Sequence, residues 1–382
     1  MQNADVIIIG GGPAGSTCAG KLRAGGLDVL IVDKAEFPRS KLCSGWITPG
    51  VVDDLELDVE DYSQGRVFQP MSGFRIGRIG GASVKVGYGR TVSYGILRRQ
   101  FDDYLLRRSR ARLALGEAVK SIERKADAWI VNAECRAPML VAAGGHFCPV
   151  SRLLGIPNER SPAISAQEME IELRPEQETA CRVERESPEL YFCDDLLGYG
   201  WCFRKGNHLN IGLGRVDPQQ LPQRVHDFYA WLKQQGRLPD DLPSKFPGHA
   251  YLTYDQAVRP LAAAGVVWIG DAAGLAYAES GEGIRPAVQS GLMAAETILA
   301  ARGDYRLETL AAYRRRMETH FGPRSPRIPP PRATSALRRH LAHWLLRQRW
   351  FVHRVVLDRW FLRRGTGDGK RGDGEHVFTR SG

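Results

Sequence analysis

The stretch Ala4-Asp-Val-Ile-Ile-Ile-Gly-Gly-Gly-Pro-Ala-Gly15 decides the fold. Val6 to Ile9 is a short apolar run of the kind that makes a buried parallel strand. It leads into Gly10-x-Gly12-x-x-Gly15, with Pro13 and Ala14 inside the turn, and then into a helix predicted over Ser16 to Arg23. The glycines serve a tight turn, close backbone approach to a pyrophosphate, and close helix–strand packing. The phosphates then rest on unpaired N–H groups at a helix N-terminus. A second strand, Val29 to Val32, ends at Asp33 and Lys34, and Asp33 follows Gly15 by eighteen residues. A carboxylate there can accept from ribose hydroxyls. One glycine pattern alone says little; strand, turn, helix, strand and acid in register predict a dinucleotide site.

A second turn, Val266 to Ile284 (VVWIGDAAGLAYAESGEGI), identifies the dinucleotide. Val266 to Ile269 reads as another buried strand and ends at Gly270-Asp271. Gly281 and Gly283 then precede a helix predicted from about 283 to 301. NAD alone gives no use for a second phosphate-facing turn so far downstream, whereas an extended FAD does. Asp271 would reach its ribityl or phosphate end. The N–H groups of Gly283 and Ile284 would face the flavin edge where negative charge gathers on reduction. This combination resembles the FAD-binding fold of the aromatic-hydroxylase superfamily.

At 382 residues the chain is long enough for two domains sharing a large core. The motifs lie at both ends of the first 320 residues, so the expected fold is α/β: a discontinuous Rossmann-like FAD domain with an inserted mixed β-sheet substrate domain. The expected boundaries are 1–65, 95–155 and 255–322 for the cofactor domain, and 66–94 and 156–254 for the substrate domain. Seven scattered cysteines without metal-ligand spacing favour reduced thiols in a cytosolic protein, with no bound metal. The chain starts at a strand, so no signal peptide is expected, and no apolar run reaches the ~18 residues needed to span a bilayer.

The net charge of +10 is local. Residues 323–364 hold eleven Arg, no Lys and one acid, Asp358, while 365–382 are balanced; the first 322 residues are therefore neutral. A Pro-rich spacer, Pro323 to Arg332, opens this basic helical segment. In the first helix-like stretch Leu337, Leu341, Trp344 and Leu345 share a face; the second carries Phe351, Val352, Val355, Val356 and Trp360 among arginines. Two readings stand level: a peripheral contact with an anionic membrane surface, or a helical hairpin docked on the body. No nucleic-acid module accompanies the charge. Residues 365–382 read as a flexible tail.

Between the turns, Phe37 to Gly50 (FPRSKLCSGWITPG) has loop punctuation. Lys41, Cys43 and Gly45 there resemble the Lys-x-Cys-x-Gly stretch of the geranylgeranyl reductase family. Met71 to Tyr88 alternates as a hairpin turning at Gly80-Gly81. Arg98-x-x-Phe101-Asp102-x-x-Leu105 resembles a superfamily helix whose Arg contacts FAD phosphate; an i, i+4 pair of Arg98 with Asp102 is the plainer reading. After the strand-like run Met139 to Ala143, Gly144 stands where relatives of this fold carry an Asp that serves FAD and the nicotinamide route, which puts NAD(P)H use in question. Further strand-like runs are Met169 to Leu173, Leu190 to Cys193 and Leu209 to Gly214. Gly198 to Gly206 (GYGWCFRKG) resembles the reductase motif PxxYxWxFPK through Tyr199, Trp201, Phe203 and Lys205, with Leu196 and Arg204 replacing its prolines. Tyr199 and Trp201 on one strand face can wall an apolar pocket. The WxWxIP run of the halogenases is missing from the sequence.

The resemblance implies an FAD-dependent oxidoreductase that reduces a C=C bond of a hydrophobic, isoprenoid- or quinone-like substrate by hydride transfer from N5 of reduced FAD. Cys43, Tyr199 and Trp201 are the candidate catalytic residues, with Cys43, Tyr199 or water as proton source. The electron donor is left between NAD(P)H and reduced ferredoxin. Two alternatives share every FAD motif: a monooxygenase working through a C4a-hydroperoxide, and a non-catalytic membrane-associated electron carrier.

Overall fold

The computed structural model describes residues 1–156, 163–324 and 336–364. Most of the Pro-rich spacer and all of the 365–382 tail lie outside the described residues. Four sheets form, and the largest two carry the site. The first has six strands in the order Ala262–Ala263, Val266–Trp268, Met139–Ala142, Val6–Ile9, Val29–Asp33, Arg112–Leu115. All but the first pair in parallel. Every residue of Val6–Ile9, Met139–Ala142 and Val266–Trp268 is buried, as an unbroken apolar run in a parallel sheet requires.

This order puts one strand, Met139–Ala142, between the two glycine turns, although about 260 residues separate them along the chain. The helix after the first turn runs Pro13–Ala24 and the helix after the second runs Ile284–Ala301. They pack with backbone in contact: a Cβ at Gly291 would stand 2.6 Å from the Ala14 carbonyl oxygen. Both helices therefore start side by side at the C-terminal ends of the parallel strands, where ligands of such sheets bind.

The second large sheet has seven strands in the order Gly248–Tyr251, Ile164–Glu172, His208–Arg215, Gly198–Lys205, Glu189–Phe192, Gly73–Arg78, Ser83–Gly87. It is antiparallel except where Glu189–Phe192 runs parallel to Gly73–Arg78. One face packs Met169, Ile211 and Leu213 under Val225, Phe228 and Leu232 of the helix Leu221–Gln234. The other face carries Ala166, Trp201 and Phe203. A small sheet of Trp46–Ile47, Phe68–Met71 and Ser93–Ile96 stands beside it. Lys205 spans the junction, fully buried, bonded to Glu170 and donating to the Ser44 carbonyl at 2.8 Å.

The second part of the basic segment docks on the body, and the first leaves its large apolar side chains exposed. The helix Ala336–Leu345 buries none of its side chains, and Leu337 is 80% exposed, Trp344 55%. The following stretch, Val352–Phe361, winds with the wide π-type period and buries Val352, Val356, Leu357 and Phe361 against Phe74, Trp201 and their neighbours. Asp358 accepts from the Tyr88 hydroxyl at 2.9 Å, and the Arg363 guanidinium lies 3.9 Å over the Tyr277 ring. The second stretch is thus part of the core. Leu357→Ala should cost about 2–5 kcal/mol in denaturant unfolding, as a buried leucine does, whereas Leu337→Ala should stay within about 0.5 kcal/mol of the parent. Equal effects of the two would contradict this division.

Candidate active site

A cavity of ≈ 650 Å³ runs from the glycine turns to the seven-stranded sheet. At one end Gly10, Gly12, Pro13 and Ala14 line it. Gly15 stands behind them: a Cβ there would lie 2.0 Å from the Gly10 carbonyl oxygen, and one at Gly10 would lie 2.4 Å from that of Ala143. The turn therefore tolerates no side chain at either position, and Gly10 has φ +113°. No side chain caps the Pro13–Ala24 helix, so its first N–H groups are left to the cavity. Asp33 and Lys34 line the same end. The Asp33 carboxylate accepts from Gly11 N at 2.7 Å and Ala35 N at 2.9 Å, which fixes the turn to the end of the neighbouring strand.

Gly270, Asp271, Gly281, Gly283 and Ile284 line the same cavity, with Gly270 packed close to Ala14. Here too the helix that follows, Ile284–Ala301, has no side-chain cap. Lys41 and Cys43 enter from the 37–50 loop. The Cys43 sulfur accepts from Gly45 N at 3.4 Å and lies against the Arg98 guanidinium. Arg98 lines the cavity and also forks onto Asp102 through two 2.8 Å bonds, so the i, i+4 pair exists at the cavity wall. Burial opposes its charge, but the Asp102 carboxylate outweighs that and holds it firmly protonated. Gly144 lines the cavity in its turn, where a Cβ would stand 3.1 Å from the Cys148 sulfur.

The far compartment is aromatic. Tyr199 and Trp201 line it, 6.0 Å apart between ring centroids, with Phe74, Phe203 and Phe361. The Tyr199 hydroxyl donates to the Ser280 carbonyl, and Trp201 Nε1 donates to Asn210 Oδ1 at 2.7 Å. Phe361 meets Tyr199 edge-on at 5.4 Å and Trp46 at 6.3 Å, so the C-terminal stretch forms one wall.

Several lining residues carried no signal in the sequence. Arg39 lies over the Phe37 ring, pairs with Asp102 at 3.2 Å, and keeps Nη1 buried without a partner. Burial pushes the Glu168 carboxyl up to about 8 and that of Glu282 to about 7, and it lowers His249 to about 4. Glu282 sits within the glycine turn, where the chain reads as loop. Glu168 alternates with Met169 and reads as the wet side of an amphipathic strand. Phe361 reads only as helix.

The residues fit an extended dinucleotide. Two uncapped helix starts face one cavity, the glycine cradle would be filled by any Cβ, and a buried guanidinium nitrogen of Arg39 has no partner inside the protein. Comparisons with known proteins agree. Residues 5–85 match the model of the FAD dependent oxidoreductase family. The chain is an FAD-dependent oxidoreductase. It is 29% identical over 329 residues to a menaquinone reductase of Mycobacterium tuberculosis, spanning 78% of this chain and 77% of that protein. It is 26% identical over 339 residues to a digeranylgeranylglycerophospholipid reductase of Methanocaldococcus jannaschii, spanning 83% of each. In fold it matches a geranylgeranyl bacteriochlorophyll reductase-like protein of Thermoplasma acidophilum with a TM-score of 0.71, at 21% identity, over 91% of this chain and 88% of that one. The resemblance to the geranylgeranyl reductase family thus holds along most of the oxidoreductase.

Glu168 and Glu282 bind protons in the folded oxidoreductase at a pH where the unfolded chain, near 4.5, has lost them. Their contribution to stability is complete below the unfolded value and is lost as pH rises through about 7 and about 8. The cofactor-free protein should therefore be less stable at about pH 9 than at about pH 6, and Glu168→Gln should flatten that slope. Denaturant midpoints at the two pH values check this; a parent midpoint unchanged or rising with pH would contradict it.

Proposed function

We propose that this oxidoreductase reduces a carbon–carbon double bond of an isoprenoid- or quinone-like molecule. The observation that carries the reading is the continuity of the aromatic compartment with the cofactor cradle. Tyr199, Trp201, Phe203 and Phe361 offer flat apolar walls and few fixed donors, which suits a prenyl chain or quinone better than a polar metabolite. The names of the relatives in Mycobacterium and Methanocaldococcus support the same substrate class.

In this reading Gly10, Gly12 and Gly15, with Pro13 and Ala14, hold the pyrophosphate, and Asp33 with Lys34 holds the adenosine ribose. Arg98 and Lys41 neutralise phosphate charge. Gly270 and Asp271 meet the ribityl end, and Gly281, Gly283 and Ile284 face the flavin edge. FAD supplies two-electron chemistry when bound and reduced. Cys43 and the loop tied down by Lys205 shape the floor under the reacting alkene. Tyr199 and Trp201 orient it and exclude water, which is the larger part of what a protein contributes to such a reaction. Gly144, in the position of an Asp, argues for a donor other than NAD(P)H.

Holoenzyme reduced anaerobically with dithionite should add two hydrogens to a polyprenyl lipid or menaquinone, read by mass spectrometry. Trp201→Ala should lower turnover about tenfold, the equivalent of about 1.4 kcal/mol in the barrier, while keeping its FAD. Oxygen incorporated from air would favour the monooxygenase instead, and loss of FAD from the variant would favour a packing role for Trp201.

The exposed helix Ala336–Leu345 supports a place at a lipid surface for such a substrate. Leu337, Leu341 and Trp344 lie exposed in a segment rich in Arg338, Arg339, Arg347 and Arg349, and Trp350 is 57% exposed beyond them. No helix among the described residues is long and apolar enough to cross a membrane. Each Arg at an anionic surface contributes on the order of 1 kcal/mol, screened by salt. The protein should float with vesicles containing anionic lipid at low salt, and Leu337→Glu with Leu341→Glu should abolish flotation. Flotation unchanged by that double substitution would contradict the surface role.

A further inference from the structure

Glu168 sits mid-strand in Ile164–Glu172, is 1% exposed, and lines the aromatic compartment. Neither of its carboxyl oxygens has a hydrogen-bond partner in the protein; among the described residues it is the one carboxyl with both oxygens buried and unpartnered. Burying a polar group without a partner costs about 1–3 kcal/mol in proteins, and more if it is charged. That cost falls where a substrate would lie.

The groups around it explain why it stays unpaired. Lys205, on the Gly198–Lys205 strand, gives its ammonium to Glu170 and to the Ser44 carbonyl. Glu170, two residues along the same strand face, also accepts weakly from Asn210 Nδ2 at 3.4 Å. Arg98, on the helix Arg98–Arg108, is committed to Asp102. Lys41 acts on Glu168 from the loop across the cavity. On the adjoining strand His249 pairs opposite Ala166, its ring kept neutral by burial, and Tyr251 lies two residues beyond. The Trp201 indole reaches over Gly212, where a Cβ would stand 2.3 Å from the ring and 2.7 Å from Glu168 Cβ. The acid and the aromatic wall therefore meet with only bare backbone between them.

We propose that Glu168 is the acid that protonates the substrate's double bond, an inference that rests on the reductive reading above. One alkene carbon takes the hydride equivalent from the reduced cofactor, and its neighbour takes the Glu168 proton. The π bond breaks, two C–H bonds form, the cofactor is left oxidised, and the Glu168 carboxylate is reprotonated from water. The sign of the local effect agrees: burial, with Glu170 adding to it, outweighs Lys205, Arg98 and Lys41 and keeps the carboxyl protonated up to about pH 8. Of the other acids that line the cavity, Tyr199 has its hydroxyl engaged as a hydrogen-bond donor to the Ser280 carbonyl, and Glu282 sits in the glycine turn.

The test uses FAD-loaded Glu168→Gln beside the parent, with a prenyl lipid or menaquinone as substrate. The variant should hold its FAD and turn over about a hundredfold more slowly or worse, the usual loss for a general acid. The parent's rate should fall as pH rises through about 8, and the variant should lack that limb. Infrared spectra of the resting protein, which need no turnover, should show a protonated carboxyl C=O band that the variant lacks. A variant as fast as the parent with the same pH profile, or no such band at neutral pH, overturns the assignment while the reductive reading stands. If the parent reduces no alkene, the proton-donor role falls with that reading, and the band then reports only the buried acid.

Discussion

Backbone contact at the crossing of two helices and three strands is the constraint on which this molecule depends. Gly10 presses on the Ala143 carbonyl, Gly15 on that of Gly10, and Gly291 on that of Ala14, each closer than a Cβ would allow. Those contacts draw the starts of Pro13–Ala24 and Ile284–Ala301 together over the ends of the Val6–Ile9, Met139–Ala142 and Val266–Trp268 strands. Two helix starts then present their free N–H groups and aligned dipoles to one elongated space. Side chains at those positions would separate the helices, and the cradle for a long anionic cofactor would open with them.

The second sheet closes the cavity beside that cradle because both of its faces are covered. The face bearing Met169 is sealed by the helix Leu221–Gln234, which leaves Glu168 on the opposite, cavity side. Glu168 is held on the cavity side by register with Gly212, and Lys205 is held between Glu170 and the Ser44 carbonyl. Replacing one partner of such a buried ionic group leaves a charge uncompensated, which typically costs about 3–5 kcal/mol. The loop carrying Lys41 and Cys43 is thereby fastened to the sheet carrying Tyr199 and Trp201. Phe361, arriving from the far end of the chain, closes the aromatic side.

Much of this was legible in the sequence because the decisive signals are local. The apolar runs at Val6 and Val266, the glycine spacing and Asp33 each state a backbone geometry without reference to distant residues. The face shared by Tyr199 and Trp201 follows from strand alternation alone. Glu168 was hidden for the same reason: alternation with Met169 and Ile171 assigns it to solvent, and only the tertiary arrangement reveals a cavity there. The basic segment could not be resolved from composition, since an amphipathic helix looks alike whether its apolar face meets lipid or protein. The structure divides it, with Val352–Phe361 buried and Ala336–Leu345 bare.

The most direct test of the account is a crystal structure of the FAD-loaded protein with a bound isoprenoid alkene. The flavin ring should lie between the Cys43 loop and the start of Ile284–Ala301, with the alkene against Trp201 and Tyr199 and within proton-transfer distance of Glu168. A flavin elsewhere, or an alkene bound outside the compartment of Trp201 and Phe361 with Glu168 remote from it, would contradict the account.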